Sequence, residues 1–391
     1  MSPETLTRRV GAGLSVSAGT AEAAGEAARE ARAALGDAPV DLAFLFLSAD
    51  HFAASEDAVA TVEEVLAPKH LVGCVAEGIV GGGRELEDGP AVSVWAACLP
   101  EAEIETFHSL AISTDEGVAV TSFPQLEGAD LVALLVDPFT FPAAGFLSKL
   151  NEEEESAPVV GGLASGGGEP DTQALFVDGE IVHEGAVGAV LRNVPVRMVV
   201  SQGCEPIGRD SVVTHAEGNV VFELAGEPAL ERLKGDLATL TPEQQQSAAS
   251  GGVLAGLVID ENRSEYLRGD YLMRGLMGVD EDAGALAIGE PVRIGQTLRF
   301  HVRDAAAADE DLRENLSGAI DGERAAGALL FTCNGRGTSM FTEPGHDAGV
   351  VGEALGGDAV AGFFCAGEIG PVGGKPFLHG FTATLAVFLE S

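Results

Sequence analysis

Three stretches of this chain carry one phrase. Val72-Gly73-Cys74-Val75-Ala76-Glu77-Gly78, Val160-Gly161-Gly162-Leu163-Ala164-Ser165-Gly166 and Ala361-Gly362-Phe363-Phe364-Cys365-Ala366-Gly367 each read as an apolar entry followed by Gly-x-x-x-x-Gly. A short apolar strand and a helix precede each copy, the strands being 41–47, 130–136 and 327–331. The first two copies lie 88 residues apart over the glycines and 89 over the strands. A supersecondary unit repeated with a flexible glycine corner predicts duplicated α/β halves and a cleft between them. Clefts of that kind hold small molecules more often than they carry out chemistry.

Around the repeats, 391 residues with 46% hydrophobic content are enough for two domains with substantial cores. Aromatic residues make up only 5%, so those cores are built from Ala, Val, Leu and Gly. The 61 acidic residues against 22 basic ones give a net charge of −39. A field of that sign repels phosphate backbones and anionic membrane surfaces, which excludes nucleic acid and membrane as expected partners. The acidic run 152–155 reads as a solvated helix end. Cys74, Cys98, Cys204, Cys333 and Cys365 form no C-x-x-C pair and have no His at metal spacing, so no metal or cofactor is expected. Their odd number and scatter fit a reducing compartment. The apolar runs are too short to span a bilayer, and Arg8-Arg9 leads into no apolar core of a signal peptide. The expectation is a soluble cytoplasmic protein.

The expected fold is α/β, with mixed sheets built from repeated strand-helix-strand units in two domains, 1–224 and 225–391. Helices are expected over 21–35, 56–66, 146–154 and 306–320. Strands are expected over 41–47, 71–75, 91–99, 297–302 and 381–389. Continuous apolar strands alternating with helices argue for sheets covered on both faces. Residues 217–269 read as a helical connector, with Thr241-Pro242-Glu243 as cap and first turn.

Two turns carry the candidate chemistry. Phe331-Thr332-Cys333-Asn334-Gly335-Arg336-Gly337 leaves a strand and enters a glycine turn, so Cys333, Asn334, Arg336 and the amides of Gly335 and Gly337 can face a ligand. Arg336 there could clamp a carboxylate with two parallel hydrogen bonds; a tight turn with a surface arginine is the plain alternative. Cys365, Gly367 and Glu368 end the neighbouring unit in the same way, and ligands in open α/β sheets bind at the carboxyl ends of strands. Glu368 could pair with a ligand ammonium, or with Arg336 or Lys375 in a salt bridge. A Cys-dependent enzyme would need His379 or His346 beside Cys365 or Cys333, which no spacing fixes. Gly367–Lys375 is not a P-loop: the glycine spacing is wrong and Pro376 follows the lysine.

Several of these phrases match a known family. Gly73–Gly78 with the glycine-rich loop after it resembles the N-terminal FIST domain, named for F-box and intracellular signal transduction proteins. Tyr271–Gly278, Gly284-Ala285-Leu286, Phe300–Asp304, Cys333–Gly337 and Gly362–Pro371 resemble its C-terminal partner domain. The resemblance runs from about Asp41 to Leu389 and implies a sensory module that binds small ligands, amino acids among them; the reading of Arg336 adds small carboxylates. The resemblance supplies no catalytic residues. Because both halves take up the chain, output is expected through a separate signalling protein. A ligand-free adaptor is the remaining alternative.

Overall fold

Strand β1 (Arg9–Ser15) and helix α1 (Thr20–Leu35) precede a parallel pair, β2 (Leu42–Ser48) and β3 (His70–Ala76), joined through α2 (Ser55–Leu66). A hairpin, β4 (Ile79–Gly81) and β5 (Arg84–Leu86), follows, and β6 (Val92–Cys98) returns antiparallel to β2. The computed structural model describes residues 7–115, 117–153, 157–249 and 252–390.

The order then recurs. β7 (Glu103–Thr114) and β8 (Gly117–Thr121) lead to the parallel pair β9 (Leu131–Val136) and β10 (Val159–Leu163), joined through α3 (Ala143–Leu150). The hairpin β11 (Leu175–Val177) and β12 (Glu180–Val182) comes next, then the return strand β13 (Ala186–Arg192). Helix α3 lies earlier than expected, and residues 154 and 155 of the acidic run fall outside the described residues.

β14 (Val196–Gln202) leads into a separate compact unit of residues 201–311 with 379–381. It holds β15 (Cys204–Pro206), β16 (Ser211–Glu217), β17 (Val220–Leu224), β18 (Glu227–Pro228), α4 (Ala229–Leu237) and α5 (Pro242–Ala249). β19 (Val253–Val258), β20 (Tyr271–Asp280), β21 (Ala285–Ile288) and β22 (Thr297–Arg303) complete it. Antiparallel pairing runs β22-β16-β17-β21-β20-β19, and β19 pairs again with β22, so the sheet closes on itself as a small barrel. Val213, Leu224, Leu257, Leu286 and Phe300 belong to the apolar cluster of this unit. The expected helical connector 217–269 is therefore corrected: two short helices sit among strands of the barrel. Thr241 does cap α5, its Oγ1 accepting from the Gln244 amide at 3.2 Å while Gln244 Oε1 accepts from the Thr241 amide at 3.0 Å.

After helix α6 (Ala305–Ile320) the third repeat appears: β23 (Ala325–Cys333), α7 (His346–Leu355), β24 (Val360–Cys365), the hairpin β25 (Glu368–Val372) and β26 (Lys375–His379), and the return strand β27 (Thr382–Leu389). Residues 312–378 and 382–391 form one compact unit with residues 1–200. The compact units do not follow the order of the chain, because the third repeat folds back to join the first two.

Within that larger unit each repeat owns one sheet, and the three sheets share the order outer strand, return strand, parallel pair, hairpin, with β8 added outside β7 in the second. They read β1-β6-β2-β3-β11-β12, β8-β7-β13-β9-β10-β25-β26 and β14-β27-β23-β24-β4-β5. The hairpin in each sheet comes from a different repeat. The first repeat gives β4-β5 to the third, the second gives β11-β12 to the first, and the third gives β25-β26 to the second. This closed exchange is a three-fold cycle. The sheets share a core in which the Phe46 and Phe363 rings meet at a tilt with centroids 5.4 Å apart, and those of Trp95 and Phe388 likewise at 4.9 Å. Helices cover the outer faces, which explains why β2 and β9 are buried along their whole length.

The leading glycine of the phrase has a steric cause. Gly73, Gly161 and Gly362 lie opposite Leu45, Leu134 and Leu330 in the three parallel pairs. A Cβ at any of the three would overlap the carbonyl oxygen of the leucine opposite. Only glycine fits, three times over.

Candidate functional site

The closing glycine of each phrase packs on the repeat before it in the cycle. A Cβ on Gly78 would stand 2.7 Å from the Phe364 ring, one on Gly166 2.7 Å from Val75 Cγ1, and one on Gly367 3.1 Å from Leu163 Cδ1. Phe364, Val75 and Leu163 hold the same place in the phrase, two residues after its leading glycine. The three turns are thereby drawn together at the carboxyl ends of the strands. The Ser165 hydroxyl ties them, donating to the Phe364 carbonyl at 2.5 Å and accepting from the Glu77 amide at 2.9 Å.

A cleft of about 530 Å³ opens where the turns meet. Glu77, Ser165 and Ala366, the equivalent fourth residues after the leading glycines, all line it. Asp50, Glu87, Asp88 and Asn334 add to the wall, with the loop Gly166-Gly167-Gly168 on the second-repeat side. Buried Gln173 sets that loop: its Oε1 accepts from the Gly166 amide at 2.9 Å and its Nε2 donates to the Gly167 carbonyl at 2.6 Å. The amides of Gly167 and Gly168 donate to no acceptor among the described residues. Four carboxylates, one amide side chain and two N–H groups without an acceptor among the described residues give the cleft a polar, acidic wall.

Of the residues singled out in the sequence, Asn334 reaches the cleft. Its Nδ2 donates to Glu77 Oε2 at 2.9 Å. The others support the turn from beneath. Cys333 is half-buried and its sulfur accepts from the Gly335 amide at 3.3 Å. Gly337 has φ +58°, and a Cβ there would lie 2.6 Å from Glu87 Oε1, whose carboxylate takes the Thr338 amide and hydroxyl at 2.8 and 2.9 Å. Arg336 is fully buried and its fork is filled from within: Nε and Nη2 donate to Asp347 at 2.6 and 2.7 Å. Cys365, Gly367 and Glu368 are buried. Glu368 Oε2 accepts from the Thr382 amide and hydroxyl at 3.0 and 2.9 Å, while Arg336, whose fork is taken by Asp347, acts on it only through its charge.

Charge balance beneath the cleft is uneven. Burial alone would raise the Asp347 pKa, but the Arg336 guanidinium overrides it and holds the carboxyl well below the usual range. Glu85, whose Oε1 accepts from the Ala348 amide at 2.7 Å, is pushed up to about 7 by burial and by the like charge of Asp347. Glu368 is also pushed up to about 7, by burial, against the lowering effect of its hydrogen bonds to Thr382 and Cys333. Burial pushes the Cys365 thiol up, away from thiolate character. Among the described residues no group of three or more His, Cys, Asp or Glu is arranged to hold a metal ion.

Glu77, Asp50, Glu87 and Asp88 were not singled out from the sequence. For Glu77 the signal was present, since it occupies the same place in the phrase as Ser165 and Ala366.

Comparison with known proteins matches the chain to two family models, FIST N domain over residues 41–227 and FIST C domain over residues 229–371. An uncharacterized protein of Mycobacterium tuberculosis is 44% identical over 386 residues, covering 98% of this chain and 100% of its own length. One of Mycobacterium bovis is 43% identical over 387 residues, covering 98% and 99%. An uncharacterized protein of Methanocaldococcus jannaschii shares 36% identity over 80 residues, 20% of this chain and 16% of its own.

Proposed function

This chain belongs to the FIST family, whose domains are generally sensory modules of signal transduction, and we propose that it senses a small ammonium-bearing ligand, an amino acid in the first instance, in the cleft between its three repeated turns. Glu77 receives the ammonium group while Asn334 holds the Glu77 carboxylate in place. The Gly167 and Gly168 amides take the ligand carboxylate, in the way glycine-rich turns hold anions. Arg336 serves as the internal anchor of the Asn334–Gly337 turn and not as the carboxylate clamp. The reading extends to a cytoplasmic protein signalling through a separate partner; among the described residues no helix is long and apolar enough to cross a membrane.

One observation carries this reading: the equivalent positions Glu77, Ser165 and Ala366 converge on one acid-walled cleft. Isothermal titration against amino acids, their N-acetyl derivatives and their amides tests it. Free amino acids should bind and N-acetylation should abolish binding. Glu77→Gln should weaken it by about 1.5–3 kcal/mol, the range of a charge-assisted hydrogen bond. Equal binding of an amino acid and its N-acetyl form would sink the assignment.

A further inference from the structure

The three-fold cycle is broken in one place. In the first repeat, helix α1 lies over β1 and β6 beside α2, burying Ala23, Ala24, Ala27, Ala28 and Ala31 against Val94, Ala96 and Val62. In the third repeat, Leu312 and Leu316 of α6 occupy the corresponding place, packing with Val199 of β14, Leu385 and Val387 of β27, and Ala348 and Val351 of α7. The second repeat has no such helix: between β7 and β9 the described residues form only β8 and a loop. Phe123 of that loop stands where the missing helix would, 5.0 Å from the Phe107 ring on β7 and 4.8 Å from Phe146 on α3. Beside it an open groove of about 460 Å³ remains, walled by Val118, Val120, Phe123, Leu126, Phe146 and Leu150.

We propose that this groove receives one amphipathic helix of a partner protein, completing in trans the layer that α1 and α6 complete in cis. The sister repeats define what fits. A helix laid on a sheet beside another helix needs a stripe of small apolar side chains, as α1 presents with five alanines. Charge defines the flanks. Lys149 and Glu153 at the rim offset each other, and it is the overall charge of −39 that makes the partner helix basic beside its apolar stripe. A second copy of this chain would bring the same negative field and is disfavoured for that reason.

The probe is a fluorescein-labelled peptide of about 18 residues, long enough to form a helix on binding, with the Ala/Leu stripe of α1 and lysines elsewhere. It is titrated by anisotropy against the full chain. Saturable binding is expected, weakened about tenfold or more by Gly145→Trp and by scrambling the stripe, as for loss of a central anchor. Gly145 is exposed on α3 and a Cβ there meets nothing within 4 Å, so the bulky side chain enters the groove without disturbing the fold, which circular dichroism verifies. No saturable binding, or equal binding by Gly145→Trp or of the scrambled peptide, would overturn the proposal. A dimer in sedimentation that Gly145→Trp dissolves would overturn it too, by assigning the groove to a second copy.

Discussion

Arg336 and Asp347 meet edge to edge inside the protein, Nε to Oδ2 at 2.6 Å and Nη2 to Oδ1 at 2.7 Å, with the Thr332 hydroxyl donating to Oδ2 at 2.7 Å. Both residues are buried, and the guanidinium carbon also lies 5.3 Å from the Phe341 ring centre. The pair fixes the strand end that carries Asn334 into the cleft. Asp347→Ala leaves a buried cation without its partner, so a loss of about 3–5 kcal/mol is expected in urea denaturation at pH 7. Replacing both together, with Arg336→Met and Asp347→Leu, should cost clearly less, because no uncompensated charge remains. A double variant as unstable as Asp347→Ala would contradict this.

Stability should fall as the solution is made less acidic over one defined window. Burial raises Glu368 from an ordinary value of 4.5 to about 7, so between those values the folded state holds a proton that the unfolded chain has released. Its protonated form favours the fold fully below about pH 4.5, and the loss is complete above about pH 7, reaching about 3 kcal/mol. Glu85, also raised to about 7, acts in the same direction; Asp347, depressed by Arg336, acts oppositely and only in strong acid. Glu368→Gln should remove its share of the slope while keeping an acceptor for Thr382. Denaturation of both proteins at pH 5 and pH 8 decides it: parallel losses would show that Glu368 does not titrate in this window.

The leading glycines of the three phrases should be equally intolerant. Gly73→Ala, Gly161→Ala and Gly362→Ala each drive a methyl group into a backbone carbonyl of the paired strand, with no flexible side chain to move aside. Each should cost more than about 3 kcal/mol or prevent folding, the scale of severe overpacking. Gly349 on α7 is the control, since a Cβ there meets nothing within 4 Å. Gly349→Ala should stabilise by about 0.5–1 kcal/mol. Thermal unfolding of the four variants gives the comparison, and tolerance at any one leading position would break the equivalence of the repeats.

The repeats were legible in the chain because a strand buried on both faces leaves an unbroken apolar run, and a glycine forced by a carbonyl leaves a fixed mark. Strands such as Leu42–Ser48 and Leu131–Val136 announce themselves in this way. The barrel was not legible. β16, Ser-Val-Val-Thr-His-Ala-Glu, is short, bulged against β17 and wet on one side, so its alternation is too weak to outweigh neighbouring helical signals. Nor can spacing show that the third repeat passes its hairpin to the second, a pairing across more than 200 residues at Gly161 and Ile369. Arg336 looked like a ligand clamp because nothing local marks Asp347, eleven residues on, as its partner. The phrase was read for its glycines, which shape backbone, and the side chains it aims into the cleft, Glu77 and Ser165, lay between them.

The thiols give the last expectation, and it bears on whether the chain works as a cysteine-dependent enzyme. Cys365 and Cys74 are fully buried with their pKa values pushed up by that burial, whereas Cys333 is half-buried at the end of β23. Alkylation follows the exposed thiolate. With iodoacetamide on the native protein at pH 8, Cys333 should label ahead of Cys365 and Cys74, which should react only once urea opens the fold. Peptide mass mapping of the labelled sites reads the order directly. Rapid modification of Cys365 below about pH 7 would mean that its thiolate is stabilised and accessible, against the burial seen here, and would return weight to nucleophilic catalysis.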